Sequence, residues 1–346
     1  MTSSILSPPV VPDPVRPVAH RIVTRPMATC ADSSRAPPPV MTSLSCGTSR
    51  PQIDQSVSQW PGFSQFAGLP VPGGDSGEVV DDVWAQIRAE ALADVELEPI
   101  LARYYSDLIL RHDSLESALA DHLARKLSIP DLLYATDLFN LFAEVLLDDL
   151  TIQSAVRADL QAARDRDPAC LKMAHCFLYY KGFLACQAHR IAHRFWTIGR
   201  RAAALLIQSR SSDVFSVDIH PGAWIGTGVL LDHATGVVIG ETAVVGHDVS
   251  ILHNVTLGGT GKDSGDRHPK IGDGVLIGAG TQILGNVKVG KGAKVGAGSV
   301  VLKDVPARTT AVGNPANLIG GKDNPVRLDR LAGLTMDHTS WSDYVI

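Results

Sequence analysis

Three short motifs hold the side chains best suited to chemistry. VDIHP carries Asp218, fifteen residues before His233 of LDHATG, and DRHPK carries Arg267 and His268. An imidazole, with an unperturbed pKa of about 6.5, is the natural general base near neutral pH. A carboxylate on its far nitrogen would fix the tautomer and stabilise the imidazolium that forms. Asp218 and His233 are the candidate pair, with Asp232, Arg267 and His268 beside them. An isolated Asp or His in such a position is most often a turn residue. Their joint placement is what points to a site.

That placement follows from a repeat. Residues 271–306 read IGDGVL IGAGTQ ILGNVK VGKGAK VGAGSV VLKDVP. A period of six suits neither a lone strand nor a helix. It suits a triangular coil of three flat strands, with one inward residue per side and three sixes per turn. Such coils stack by parallel pairing at about 4.8 Å, and a hexapeptide repeat is the signature of a β-helix. Three phases of the repeat are legible. Ile219, Ile225 and Leu231 share the first. Ile239, Val245, Ile251 and Leu257 share the second. Ile271, Ile277, Ile283, Val289, Val295 and Val301 share the third. The phase slips at DHATGVV (232–238) and at GGTGKDSGDRHPK (258–270). A slip frees side chains from core packing, which makes these two stretches the places to look for chemistry.

The remainder divides into three. Residues 79–216 read as a helical domain. Pro130 after Ser128 suggests a first helical turn, with Leu138, Phe142, Val145 and Leu146 following at helical spacing. HCFLYYKGFLACQAHRIAHRFW reads as one long helix packed on several sides. Its His189 and His193 are spaced i, i+4, but lack a third ligand and read as packing residues. Residues 1–75 read as disordered. The first fifty hold nine prolines, five arginines, two acids and no lysine, a composition resembling an organellar transit segment. The expected address is the chloroplast, with mitochondrion or cytoplasm as alternatives. Residues 321–346 read as a flexible tail following a β-helical domain at 217–320. The net charge of −5 gives no electrostatic footprint for nucleic acid, and no apolar run suits a membrane span. Cys30, Cys46, Cys170, Cys176 and Cys186 show no metal spacing and read as reduced thiols.

From VDIHP to IGAG the chain closely resembles serine O-acetyltransferase, and the likeness extends through ARDRDPAC and the helical block to a plant-like NPVRLDR…DYVI end. It covers about 79–346. The resemblance implies an α+β chain, with an N-terminal helical domain and a left-handed parallel β-helix, assembled as a homotrimer or dimer of trimers. It implies transfer of acetyl from acetyl-CoA to the hydroxyl of L-serine, with His233 as general base oriented by Asp218. Asp167, Asp232, Arg267 and His268 would bind serine. Gly259, Thr260, Ala279, Ala297 and Lys294 would line the coenzyme A path, and no cofactor would be permanently bound. Lys288, Lys291 and Lys303 share the lysine cluster. The tail, through Asp343, Tyr344, Val345 and Ile346, would enter O-acetylserine (thiol) lyase. No cysteine or serine is visibly paired with the base, so no acyl-enzyme is needed.

Three rival readings remain at this point. Another hexapeptide acetyltransferase would share the fold and base without needing RDP, DRHPK and DYVI together. A zinc lyase on the same fold would need three converging imidazoles, but His247 and His253 should point from different sides of the triangle. A regulatory scaffold for the lyase would not need the Asp218 and His233 pair.

Overall fold

A computed structural model describes residues 81–261 and 264–338. The segment read as a transit sequence, Cys30, Cys46 and the tail residues Asp343 to Ile346 lie outside the described residues.

Among the described residues eight α-helices come first: α1 (Asp82–Leu97), α2 (Ala102–Tyr105), α3 (Leu115–Leu127), α4 (Ala135–Asp148), α5 (Leu150–Arg166), α6 (Met173–Tyr179), α7 (Lys181–Thr197) and α8 (Arg201–Phe215). Their ends follow local chemistry. Asp149 caps α5 by accepting from the N–H groups of Thr151 and Ile152 at 3.0 and 3.2 Å. Capping of this kind stabilises a helix by about 1 kcal/mol. Leu138, Phe142, Val145 and Leu146 are the buried stripe of α4, as their spacing predicts.

Two expectations need correction. Pro130 does not open a helix. Ser128 ends α3, and Ile129 and Leu133 close a tight turn with Asp131 in the left-handed region, so α4 starts only at Ala135. The run HCFLYYKGFLACQAHRIAHRFW is not one helix. It breaks at Tyr180, which is extended (φ −80°, ψ 100°). The break lets Gly182 press against the first coil, where a Cβ would lie 2.0 Å from the carbonyl oxygen of Leu231.

The β-helix starts at Val217. Its first face stacks Val217–Ile219, Val237–Ile239, Thr256–Gly258, Gln282–Leu284 and Val300–Val301. The second stacks the strands beginning at Trp224, Val244, Lys270 and Lys288. The third stacks those beginning at Leu230, Ser250, Leu276, Lys294 and Thr310, with Asn317–Leu318 antiparallel at its end. The other pairings between these strands are parallel. Every inward position read from the repeat, from Ile219 to Val301, is buried. Each contributes about 1.5–3 kcal/mol. The register steps 18 residues from Val238 to Thr256, but 20 from Asp218 to Val238 and 26 from Thr256 to Gln282. Those two excesses are the phase slips.

The helices dock on the first coils through buried charge. Asp159 of α5 accepts from Arg190 of α7 at 2.7 Å and from the N–H of Val229 at 2.9 Å. Arg190 in turn reaches the carbonyls of Ile225 and Gly226. Arg166, at the end of α5, bonds Asp248 at 3.1 Å and Ser250 at 3.3 Å. The part of the expected flexible tail that is described packs on the third face. Its short helix α9 (Ala332–Thr335) buries Ala332, and Gly333 accepts from Ser250 at 2.7 Å.

Candidate active site

The helix α5 ends where it does because Pro168 follows Asp167. A residue before proline is pushed out of the helical region, and Asp167 is extended (φ −105°, ψ 107°). With Arg166 tied to the second coil, the Asp167 carboxylate projects past the helix end. Its Oδ1 accepts from the N–H of Ala169 and its Oδ2 from the hydroxyl of Tyr180, each at 2.8 Å.

Asp232 and His233 form the corner between the third and first faces. His233 and Ala234 both have positive φ, 56° and 57°, and the N–H of Ala234 closes onto the carbonyl of Asp232 at 2.6 Å. Two non-glycine residues in this region cost about 1–3 kcal/mol each, a strain found most often at functional sites. The turn pushes the imidazole outward: its side chain is 74% exposed, with Nε2 at 3.8 Å from Oδ1 of Asp232. One rung above, His253 meets it edge-to-face at a centroid separation of 5.8 Å, with its own Nδ1 buried and unpartnered. The column is a consequence of register. Leu231, Ile251, Ile277 and Val295 pair in sequence, so His233, His253, Ala279 and Ala297, each two residues further on, share one corner.

The other expected residues gather at the corner between the first and second faces. Arg267 donates to Oε2 of Glu241 at 2.8 Å, which holds the Glu241 carboxyl below its ordinary range. His268 is 6% exposed and lies over Gly240 and Gly259. Burial, with Arg267 and Lys270 nearby, pushes its imidazole below the ordinary histidine value. Asp218 belongs with this group. Its Oδ1 accepts from Gln208 of α8 at 2.7 Å. His220 between them feels Glu241, Asp218 and Arg267, though burial dominates and lowers its pKa. Gly259 and Thr260 are exposed at the same corner.

Thus one chain presents two half-sites. Asp232 and His233 stand at one corner, Asp218, Arg267 and His268 gather at another, and Asp167 lies at the end of the helix that Arg166 ties to the second coil. Among the described residues no hydrogen bond or ion pair joins Asp218 to His233. Of the remaining expected ligands, Lys294 is only 3% exposed, on the third face near Asp337, and burial lowers its pKa. His338 comes close enough to sense Lys294 and Asp232.

His247 sits at the corner between the second and third faces and His253 at the next, so they point from different sides. Among the described residues no group of three or more His, Cys, Asp or Glu side chains converges as metal ligands would. His189 and His193 are packed in α7, with His193 Nδ1 at 2.8 Å from the carbonyl of Pro221. Cys170, Cys176 and Cys186 are unbridged and buried. No described helix is long and apolar enough to cross a membrane.

Sequence reasoning missed Tyr180, Glu241 and Thr242. The last two were accessible, because they stand directly beneath Arg267 and His268 in the register set by Val244 and Lys270. Nothing in the sequence singles out Tyr180.

Comparison with known proteins bears on both halves of the chain. Residues 83–188 match the family model "Serine acetyltransferase, N-terminal", and residues 268–303 match "Bacterial transferase hexapeptide (six repeats)". The chain is 63% identical over 276 residues to serine acetyltransferase 3, mitochondrial, of Arabidopsis thaliana, covering 79% of this chain and 70% of that one. It is 65% identical over 270 residues to serine acetyltransferase 1, chloroplastic, of the same plant, covering 77% and 86%. A soybean serine acetyltransferase solved in complex with serine is 64% identical and superposes with a TM-score of 0.67, over 68% of this chain and 97% of that one. A serine acetyltransferase of Brucella abortus strain S19 in complex with coenzyme A is 50% identical, with a TM-score of 0.68 over 71% and 98%. With a helical domain, a β-helix and relatives of this identity, the chain belongs to the serine acetyltransferase family.

Proposed function

We propose that this protein transfers the acetyl group of acetyl-CoA to the hydroxyl of L-serine, giving O-acetyl-L-serine and CoA. The observation that carries the reading is His233, an exposed imidazole on a strained turn beside Asp232, in a chain whose relatives were solved with serine and with coenzyme A. His233 takes the proton from the serine hydroxyl. The oxygen attacks the thioester carbonyl, the tetrahedral intermediate collapses, and His233 returns the proton to the departing thiolate. No enzyme nucleophile intervenes.

Asp167 and Asp232 suit the serine ammonium, and the planar fork of Arg267 suits its carboxylate. The pantetheine arm would run along the corner column, where Ala279 and Ala297 above His253 leave room. Gly259 and Thr260 would meet coenzyme A at the other corner. Lys294 would have to emerge from the third face to reach a phosphate.

Two separated half-sites in one chain favour a cyclic trimer. Its head-to-tail contacts would set the His233 corner of one copy against the Arg267 corner of the next. Asp218 would then reach His233 from the neighbouring copy. A dimer of trimers and docking of O-acetylserine (thiol) lyase on Asp343 to Ile346 belong to the same reading. The chloroplast is our preferred address, and relatives carry both plastid and mitochondrial designations.

The test is CoA release by the purified protein with L-serine, against a galactoside as acceptor. We expect turnover with serine alone and a loss of about 10²–10⁴-fold in His233→Ala. Retention of most activity in that variant would remove His233 from its role.

A further inference from the structure

Arg267 and His268 are held by the two residues beneath them. Thr242 spends its whole hydrogen-bonding capacity there. Its hydroxyl accepts from the N–H groups of Arg267 and His268 at 3.1 and 3.2 Å. Its single hydrogen is left for Nδ1 of His268, 2.9 Å away. The backbone N–H of Thr242 points at the same Nδ1, at 3.2 Å.

An amide N–H can only donate, so Nδ1 carries the lone pair and the ring proton sits on Nε2. Protonating Nδ1 would set its new hydrogen against that N–H and force the hydroxyl to turn away. The surroundings act in the same sense. Burial comes first, then the charges of Arg267 and Lys270. Glu241 opposes them, and His220 adds a weaker push.

Nε2 is therefore a neutral donor. Among the described residues it has no hydrogen-bond partner. It lies against bare backbone: a Cβ on Gly240 would come within 2.0 Å of it, and one on Gly259 within 3.0 Å. The arrangement is a property of stacked rungs, because it recurs in register at the next corner. There the N–H and hydroxyl of Thr227 meet Nδ1 of His247 at 3.1 and 3.0 Å.

We propose that Thr242 is a positioning residue that fixes His268 in its neutral Nε2–H form, so that the α-carboxylate of the amino-acid acceptor receives one neutral and one charged donor. The charged donor is Arg267, kept in place by Glu241. This inference rests on the serine reading above. It assigns a role to a residue that acts through Arg267 and His268.

Kinetics of the full-length protein with serine varied, at pH 6 and pH 8, test it. Thr242→Ser keeps the hydroxyl and should leave the serine KM within about threefold. Thr242→Val keeps only the longer amide contact to Nδ1, loses the hydroxyl hydrogen and its two accepted bonds, and should raise the serine KM about tenfold at pH 8, with the acetyl-CoA KM unchanged. At pH 6 that defect should shrink, because without the hydroxyl hydrogen at Nδ1 the variant's ring takes up a proton more readily than the wild type's, and a protonated ring donates from Nε2 again. His268→Gln places a neutral N–H near Nε2 and should retain more serine affinity than His268→Asn. Adding Thr242→Val to His268→Gln should cost clearly less than it does in the wild type, since an amide has no tautomer to fix and only the two backbone N–H contacts of the hydroxyl are lost.

Equal Thr242→Val defects at both pH values, or full additivity with His268→Gln, would overturn the proposal. The tautomer is also read directly from imidazole ¹⁵N shifts in histidine-labelled protein, with His268 assigned by its loss in His268→Gln. A Nδ1-protonated ring in the wild type refutes the inference whatever the acceptor. Absence of serine turnover with the Nε2–H form intact refutes only the serine reading.

Discussion

Tyr180 holds Asp167. Its hydroxyl donates to Oδ2 at 2.8 Å from the one extended residue between α6 and α7, while Oδ1 is engaged by the N–H of Ala169. Both carboxylate oxygens are thereby oriented, and each keeps a lone pair for an ammonium group. Tyr180→Phe removes one hydrogen bond to a charged acceptor, which is worth about 1.5–3 kcal/mol when well shielded. Asp167 is only partly buried, so the lower end applies, and we expect the serine KM to rise roughly tenfold. Initial-rate measurements should find kcat within about threefold of wild type. An unchanged KM would show that Asp167 is no serine ligand.

Separation of the two half-sites in one chain makes a mixing experiment decisive. His233→Ala and Arg267→Ala are each expected to be inactive as homotrimers. Co-refolded at equal amounts, mixed trimers would each contain one interface pairing an intact His233 with an intact Arg267. Random mixing then restores about one quarter of wild-type activity. Recovery of nothing, with mixed trimers demonstrated by differential tags, would mean that both corners act within one chain.

Sequence alone revealed the coil because its core requirement repeats. A triangular interior accepts only a narrow range of side chains, so Ile, Val or Leu recurs at each inward position from Ile219 to Val301. The slips were visible for the same reason, and they hold His233, Arg267 and His268. Extending the register to outward residues would also have placed Glu241 under Arg267 and Ala279 over His253. Tyr180 was not legible. Its role depends on a helix break inside an apolar run, where helical propensity gives way to the fit of Gly182 against Leu231. Nor could spacing reveal that Asp218 is bonded to Gln208 within its own chain, because a separation of fifteen residues does not say to which corner a side chain turns.

Gly182 offers a test of that fit. In an exposed helix, Gly→Ala would stabilise by about 1 kcal/mol. Here the added Cβ would lie 2.0 Å from the carbonyl oxygen of Leu231 and 3.1 Å from Cβ of Ala234. A backbone carbonyl cannot swing aside as a side chain can, so the clash outweighs propensity. We expect Gly182→Ala to destabilise by about 2–4 kcal/mol in urea denaturation. Displacing the Leu231 to Ala234 turn should also lower activity more than Tm. A variant as stable and active as wild type would show that α7 rides on the coil loosely.

His122 sets an acid limit on stability. Its Nε2 lies 3.2 Å from the carbonyl of Leu178 on α6, and its ring stacks on Phe177. Burial is the largest influence on it, followed by Lys126, with Arg125 acting in the same sense. Leu178 and Asp121 oppose them, and the pKa falls to about 4. An unfolded histidine titrates at about 6.5. Above that value both states are neutral and the group contributes nothing to the pH dependence. As pH falls from 6.5 towards 4, the unfolded chain takes up a proton that the folded one refuses, so stability declines. By pH 5 the loss from this residue alone is about 2 kcal/mol. His122→Gln stays neutral throughout and can still donate to Leu178. Denaturation of both proteins at pH 7.5 and pH 5 should therefore show a smaller acid loss in the variant, by about 2 kcal/mol. His189 and His193, also held neutral by burial, are present in both proteins and cancel in the difference. Parallel losses in the two proteins would mean that His122 takes up its proton in the folded state as readily as in the unfolded chain.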